Sequence, residues 1–322
     1  MTSLKDIAKR TGVSLSTVSN VLNGRSNVSQ ATRERILQCC AELGYVPNAA
    51  GSRTKHEKSN TIVFIFSDFD RDFYLKIIEG ISDCLNENGY DLMICTNKSS
   101  KKFMKRSLVS GTISLDGSLT DETLVSIAKP DFPVVLMDRI LDYDRVNATS
   151  VIVDNYPVMC EMVQALIDKG FRDFGFLGGM THTLDNKERY AAFIDTLAKN
   201  DIPFDQRNYF HGNYRENSGY QAAKLMILSN VFPEVLVCAN DNMAIGVMKA
   251  LEEHGIKVPD DMSVTGFDDS EAAAFAGLTT ISIPRYESGY LAAKELLEMI
   301  KGGEHKGVYK LNATIKWRRT VK

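Results

Sequence analysis

Residues 4–24 read Leu4-Lys5-Asp6-Ile7-Ala8-Lys9-Arg10-Thr11-Gly12-Val13-Ser14-Leu15-Ser16-Thr17-Val18-Ser19-Asn20-Val21-Leu22-Asn23-Gly24: a helix, a glycine turn and a second helix. Ile7 and Ala8 supply the apolar side of the first helix, and Gly12 supplies the left-handed residue that a tight bend needs. Val13 fills the corner beneath the turn. Ser14 is an N-cap for the second helix, whose Val18, Val21 and Leu22 form one inward stripe. Leu15, Ser16, Thr17 and Asn20 are left facing outward, on the turns with which a recognition helix enters a major groove. An ordinary helical hairpin shows the same pattern, so the neighbouring sequence decides. Ser29 caps a third helix running to about Leu43, with Ile36, Cys40 and Leu43 on one face and Gly44 just past its end. Tyr45-Val46-Pro47-Asn48 then stops that helix and offers a new cap.

Charge supports the nucleic-acid reading. The chain of 322 residues carries a net charge of only −3. Residues 1–58, however, hold nine basic side chains against four acidic ones, a surplus of five, so the remainder is acidic. A basic head on an acidic body is the footprint of a modular nucleic-acid binder. The six cysteines (39, 40, 84, 95, 160 and 238) have no Cys-x-x-Cys spacing and lie mostly in apolar stretches, as reduced thiols do in a cytoplasmic protein. No apolar run approaches membrane-spanning length and no signal-peptide pattern opens the chain, so a cytoplasmic location and no membrane partner are expected.

Residues 4–48 resemble the DNA-binding headpiece of the lactose/galactose repressor (LacI/GalR) family. The matching pieces are Asp6-Ile7-Ala8, Gly12-Val13-Ser14, Thr17-Val18-Ser19, Leu22-Asn23 and Gly44-Tyr45-x-Pro47-Asn48, in one order and spacing. The body extends the likeness through Phe232–Gly246, Ile256–Asp269, Leu278-Thr279-Thr280-Ile281 and Gly289-x-x-Ala292-Ala293. The resemblance implies an all-α helix-turn-helix headpiece (1–48), a hinge (49–60) and a two-lobed, periplasmic-binding-protein-like, doubly wound α/β effector domain (61–322). Its N-lobe is expected at about 61–157 and 286–317, and its C-lobe at about 158–285 and 318–322. The three crossings between lobes are expected near 155–160, 284–288 and 316–320.

Pattern alone points to the same α/β class. Thr61–Ser67 is a continuous apolar strand of the kind buried on both faces of a sheet. Strands near 91–95, 133–137, 150–153, 173–177, 234–238 and 262–266 alternate with helices near 74–88, 156–169, 187–200, 216–228, 241–254 and 285–301. Such alternation makes parallel sheets covered by helices, and so many strands call for two sheets with a cleft between them.

In such folds a ligand sits at the carboxyl ends of the strands. The loop after the first strand carries Asp68–Tyr74, and the resemblance makes Phe73 and Tyr74 effector contacts. It also makes Arg189, in Glu188-Arg189-Tyr190, the arginine that clamps an effector's hydroxyls, and Asp268, in Gly266-Phe267-Asp268-Asp269, the acidic effector contact. Asn240 and Asp241 follow another strand and join the candidates, with capping of the next helix as the alternative for Asp241, and Arg139 follows a strand too. On DNA, Leu15, Ser16 and Asn20 are the base readers: Leu15 suits a thymine methyl and Asn20 the N6/N7 edge of adenine. Ser14, Thr17, Ser19, Asn23 and Arg33 suit phosphates, and Asn48 at the end of the headpiece and Thr54 in the hinge join the DNA contacts.

The implied function is a dimeric repressor on a pseudo-palindromic operator, controlled by a sugar or sugar derivative. A purine or nucleoside effector is the alternative, and a transporter's solute-binding protein is an alternative of another class. No catalytic constellation can be assembled from spacing, the five histidines are dispersed, and no cofactor or metal is expected. Gly178-Gly179 follows a strand but lacks both phosphate-loop patterns, and reads as a turn. Two stretches depart from the family. The hinge has Gly51-Ser52-Arg53-Thr54 where family members commonly have Ala-Arg-Ser-Leu, so Thr54 replaces the leucine wedge and a weaker DNA kink is expected. Residues 97–111 are short and basic where the family has an acidic helix on its dimer face.

Overall fold

The computed structural model describes residues 3–22, 25, 27–45, 59–67, 73–96, 100, 102–104, 108–115, 117, 119–141, 146–303 and 307–322. Helix α1 (Leu4–Thr11) opens on a reciprocal cap: Asp6 N–H donates to Ser3 Oγ at 3.4 Å and Ser3 N–H donates to Asp6 Oδ2 at 2.8 Å. Gly12 ends it at φ +67°. Thr17 N–H donates to Ser14 Oγ at 3.1 Å to start α2 (Leu15–Leu22), and Ser29 caps α3 (Gln30–Glu42) through Thr32 N–H. Ile7, Val18, Val21, Ile36, Cys39 and Cys40 meet in the core of this unit. The adjacent cysteines are therefore packing residues, and neither is in a disulfide.

The strands of the body, in chain order, are β1 (Thr61–Phe66), β2 (Asp91–Thr96), β3 (Gly111–Ser114), β4 (Val134–Leu136), β5 (Ala148–Val153), β6 (Phe174–Gly178), β7 (Tyr209–His211), β8 (Val235–Cys238), β9 (Ser263–Asp268), β10 (Thr279–Ser282), β11 (Val308–Leu311) and β12 (Thr314–Lys316). They form two six-stranded sheets, ordered β11-β5-β4-β3-β1-β2 in the N-lobe and β12-β10-β9-β8-β6-β7 in the C-lobe. Pairing is parallel throughout except for β12, which runs antiparallel to β10. The helices are α4 (Phe73–Glu87), α5 (Asp121–Ile127), α6 (Asn155–Asp168), α7 (Leu184–Lys199), α8 (Glu216–Ser229), α9 (Asp241–Glu253), α10 (Glu271–Ala276) and α11 (Arg285–Ile300).

The chain passes between lobes at Asp154, at Ile283–Pro284 and at Asn312–Ala313. The first passage precedes α6, whose Val158, Met159 and Met162 lie in the C-lobe core. The second precedes α11, whose Ala292, Ala293 and Leu296 lie in the N-lobe core. The third comes earlier in the chain than the expected 316–320, because residues 314–316 pair with β10 (Thr280 opposite Lys316) and so belong to the C-lobe.

Among the described residues, each lobe brings a pair of helices into backbone contact. In the N-lobe a Cβ on Gly80 would run into the Tyr286 carbonyl oxygen, and one on Gly289 into that of Ile77. In the C-lobe Gly219 faces the Met243 carbonyl and Gly246 that of Glu216 in the same way. Both lobes therefore place an outer helix pair (α4 with α11, α8 with α9) by glycines at the crossing point.

Candidate functional site

A cleft of about 690 Å³ opens between the lobes, where the carboxyl ends of the parallel strands meet. Phe73, Asp121, Asp138 and Arg139 line it from the N-lobe, with Asp185, Arg189, Tyr214, Asn240 and Asp268 on the C-lobe side. Tyr74 does not line it. Its side chain is 2% exposed, its ring packs 4.6 Å from that of Phe66, and its hydroxyl lies 3.2 Å from Ser67 Oγ. Successive helical residues point about 100° apart, so with Phe73 at the cleft Tyr74 turns into the core. The loop residues Asp68–Asp72 lie outside the described residues.

Arg139 is held on the N-lobe wall by Asp121 at 2.8 Å and by Asp138 at 3.2 Å. Asp138 also accepts the Gly117 N–H at 2.5 Å. Burial pushes the Asp138 carboxyl up, the Arg139 guanidinium pulls it down, and Asp185 from the opposite lobe adds a smaller upward push. Asp138 Oδ1 and Arg139 Nη2 are buried without a hydrogen-bond partner among the described residues.

On the opposite wall the Arg189 guanidinium stacks on the Phe267 ring, 3.5 Å from its centroid. Its Nε donates to Asn155 Oδ1 at 3.0 Å and its Nη1 to the Ala239 carbonyl at 2.5 Å, while Asp185 lies 3.8 Å from Nη2. Arg189 thus reaches the cleft with its plane already fixed, and it ties the C-lobe wall to the first residue after a lobe crossing.

Asn240 borders the cleft, but its side chain has local work. Oδ1 caps α9 through Met243 N–H at 3.1 Å, and Nδ2 donates to the Tyr214 carbonyl at 3.0 Å. The cap expected of Asp241 is therefore made by Asn240. Asp241 lies beneath, buried, accepting Ser270 N–H at 2.7 Å and the Thr280 hydroxyl at 2.5 Å. Burial lifts its pKa to about 6 against those two hydrogen bonds. Gly266 leaves the space this carboxylate fills.

Asp268 lines the cleft in the left-handed region at φ +116°, followed by Asp269 at +56°. Tyr214, absent from the sequence candidates, is the further cleft residue of this kind, at φ +67°. Its hydroxyl lies 3.0 Å from Thr183 Oγ1, and burial drives its pKa well up. Gly179 is what admits the ring, since a Cβ there would overlap it. Gly178 beside it makes room for Tyr209 instead, whose hydroxyl a Cβ there would crowd. The signal missed was β7, too short to show a period, after which Tyr214 reaches the cleft.

On the headpiece Leu15 is 44% exposed, Ser16 is exposed, and Thr17, Ser19 and Asn20 are half-buried. Ser14 Oγ lies 2.7 Å from Ser16 Oγ and 2.8 Å from Thr17 Oγ1. These hydroxyls satisfy one another around the α2 cap. Arg33 donates to the Arg25 carbonyl at 2.5 Å, so part of its fork is engaged within the unit. Asn23, Asn48 and Thr54 lie outside the described residues, as do the other residues of 49–58 and residues 97–99, 101 and 105–107 of the basic stretch.

Among the described residues no cluster of three or more potential metal ligands occurs, and no helix is long and apolar enough to cross a membrane. Residues 3–48 match the family described as bacterial regulatory proteins, lacI family, and residues 163–321 match the periplasmic binding protein-like domain. The chain is 31% identical over 334 residues to the HTH-type transcriptional repressor PurR of Vibrio parahaemolyticus, covering 100% of this chain and 99% of that one. It superposes on the lac repressor dimer bound to operator and the anti-inducer ONPF with a TM-score of 0.76 and 27% identity, over 99% of this chain and 98% of that chain. On the complex of the transcriptional regulator CelR with cellobiose the TM-score is 0.74 at 25% identity, over 99% and 100%. Joining a three-helix DNA reader to a two-lobed body, and matched along its whole length, this chain belongs to the LacI family of DNA-binding transcriptional regulators.

Proposed function

We propose that the protein is a repressor that binds a pseudo-palindromic operator as a homodimer, with its operator affinity set by a neutral, hydroxyl-rich molecule in the cleft: a sugar or sugar derivative. The observation that carries this reading is the charge balance of the cleft. Asp121, Asp138, Asp185 and Asp268 stand against Arg139, Lys187, Arg189 and Arg285 in a cleft that Phe73 also lines. Carboxylates and guanidinium forks in one cleft with an aromatic ring suit a ligand ring with polar edges and an apolar C–H face. The CelR–cellobiose likeness supports a sugar. The faces of Phe73 and Tyr214 support the second reading, a purine or nucleoside.

Each headpiece reads one half-site, so two-fold symmetry of the dimer is mirrored in the DNA. Leu15, Ser16 and Asn20 meet base edges. Ser14, Thr17, Ser19, Asn23 and Arg33 meet phosphates, and Asn48 and Thr54 also meet the DNA. Phe73, Arg139, Arg189 and Asp268 hold the effector, while Asn240 has one N–H and one lone pair left for it. The effector shifts operator affinity only by its difference in affinity for two settings of the lobes. A thermal-shift screen across neutral sugars, sugar phosphates and nucleobases tests the cleft, with operator binding by anisotropy, with and without each hit, as the readout. Stabilisation by a neutral sugar that also changes operator affinity is the expected result. Stabilisation by phosphates alone would overturn the charge argument, and DNA affinity insensitive to salt would overturn the operator reading.

A further inference from the structure

Consecutive aspartates at φ +116° and +56° make the turn after β9 one of the least relaxed pieces of backbone in the body, and the structure holds it from two sides. Arg318 Nη2 donates to Asp269 Oδ1 at 2.6 Å, and its Nη1 donates to the Leu278 carbonyl at 2.9 Å. Arg285 Nη2 donates to the Asp269 carbonyl at 2.8 Å. These two arginines come from different places in the topology. Arg285 is the first residue of α11, directly after the second crossing, so its bond to Asp269 runs from an N-lobe helix to a C-lobe turn. Its guanidinium also sits 6.0 Å from the ring centroid of Phe73 on the N-lobe wall. Arg318 follows β12, the strand that leaves the third crossing, and its N–H is anchored on Thr279 Oγ1 at 2.9 Å.

We infer that Asp269 is a positioning residue: it holds Asp268 at the cleft wall and joins that wall to the second and third lobe crossings. A change in what Asp268 contacts then moves a turn that both crossing segments grip, which is how occupancy of the cleft reaches the two lobe crossings. The carboxylate–guanidinium bond is charge-assisted and the αL backbone suits aspartate or asparagine, so the side chain and the conformation are required together. The functional meaning of this tie rests on the cleft being the effector site. Its test uses ligand-free protein, so either conclusion can fail without the other.

The test is hydrogen exchange on the full chain. With Asp269→Ala, amides at the start of α11 (Ser288, bonded to the Pro284 carbonyl) and in the tail (Arg319, bonded to that of Gly277) should exchange about tenfold faster. Amides of α9 and of the headpiece should stay within about twofold of the parent chain. Arg285→Ala should accelerate only the α11 start, and Arg318→Ala only the tail. Asp269→Asn, which keeps an acceptor and tolerates αL, should restore most of the protection. Acceleration confined to residues 268–273, or spread equally over α9, would overturn the inference. Should Asp269→Ala fail to fold, the two arginine variants decide it: loss of protection in both segments from either one alone refutes separate grips.

Discussion

Replacing Asp241 by asparagine should stabilise the C-lobe at neutral pH and not in acid. The carboxyl is buried, and its pKa is lifted from 3.8 to about 6. With the folded value above the unfolded one, the protonated group's contribution to stability is complete below about pH 4 and is lost as the pH rises through about 6. The rise corresponds to about 3 kcal/mol by neutral pH. Asparagine has no charge to desolvate. Its Oδ1 can accept the Ser270 N–H, and its Nδ2 can donate to the Thr280 hydroxyl, which must turn from donor to acceptor. That reversal costs about 1 kcal/mol. The Asp241→Asn chain should therefore be more stable by about 2 kcal/mol near pH 7.5 and slightly less stable near pH 4. The chain supplies its own probe, because its single tryptophan, Trp317, lies in the C-lobe tail beneath Lys169. Urea unfolding followed by its emission at several pH values gives the difference directly. Asp138 and Asp173, also raised by burial, are common to both chains and cancel. A difference that stays flat from acid to neutral pH would refute the reasoning.

Gly80→Ala should cost about 3 kcal/mol or more of N-lobe stability, because its Cβ meets carbonyl backbone rather than a side chain that can move. Gly219→Ala should do the same to the C-lobe, and thermal unfolding of each variant measures both. Arg189→Lys loses the fork to Asn155 and Ala239 and the stack on Phe267, and should weaken effector binding at least tenfold by titration. An unchanged affinity would assign Arg189 to scaffolding alone. Asn20→Gln should change the preferred base at one half-site position in a selection from randomised DNA, discriminating by about 1–3 kcal/mol. Uniform weakening across all sequences would move Asn20 to the phosphates.

The headpiece is legible because its signals are local. Ser14 and Ser29 sit where a cap must sit, and a period of 3.6 separates Val18 and Val21 from Leu15 and Ser16. The alternating body is legible for the same reason in its long elements. The cleft is less so, since its details turn on single steps along the chain. Phe73 and Tyr74 are chemically alike, and only the direction of one helical residue sends the first to the cleft and the second to Phe66. Asn240 and Asp241 both fit a cap, and burial beneath Ser270 and Thr280 assigns them opposite roles. The third crossing carries no compositional mark. It is set by the pairing of three residues, Thr314–Lys316, with a strand far back in the sequence.

That late pairing bears on how the protein is made. Both sheets wait for residues 308–316: β11 supplies an edge of one and β12 an edge of the other. The headpiece core, by contrast, is finished by Cys40. As the chain leaves the ribosome the DNA reader can fold first, and the two sensor lobes reach their full strand complement only near the end. A chain stalled or clipped before residue 308 would hold a completed reader on a body whose two sheets both lack an edge strand.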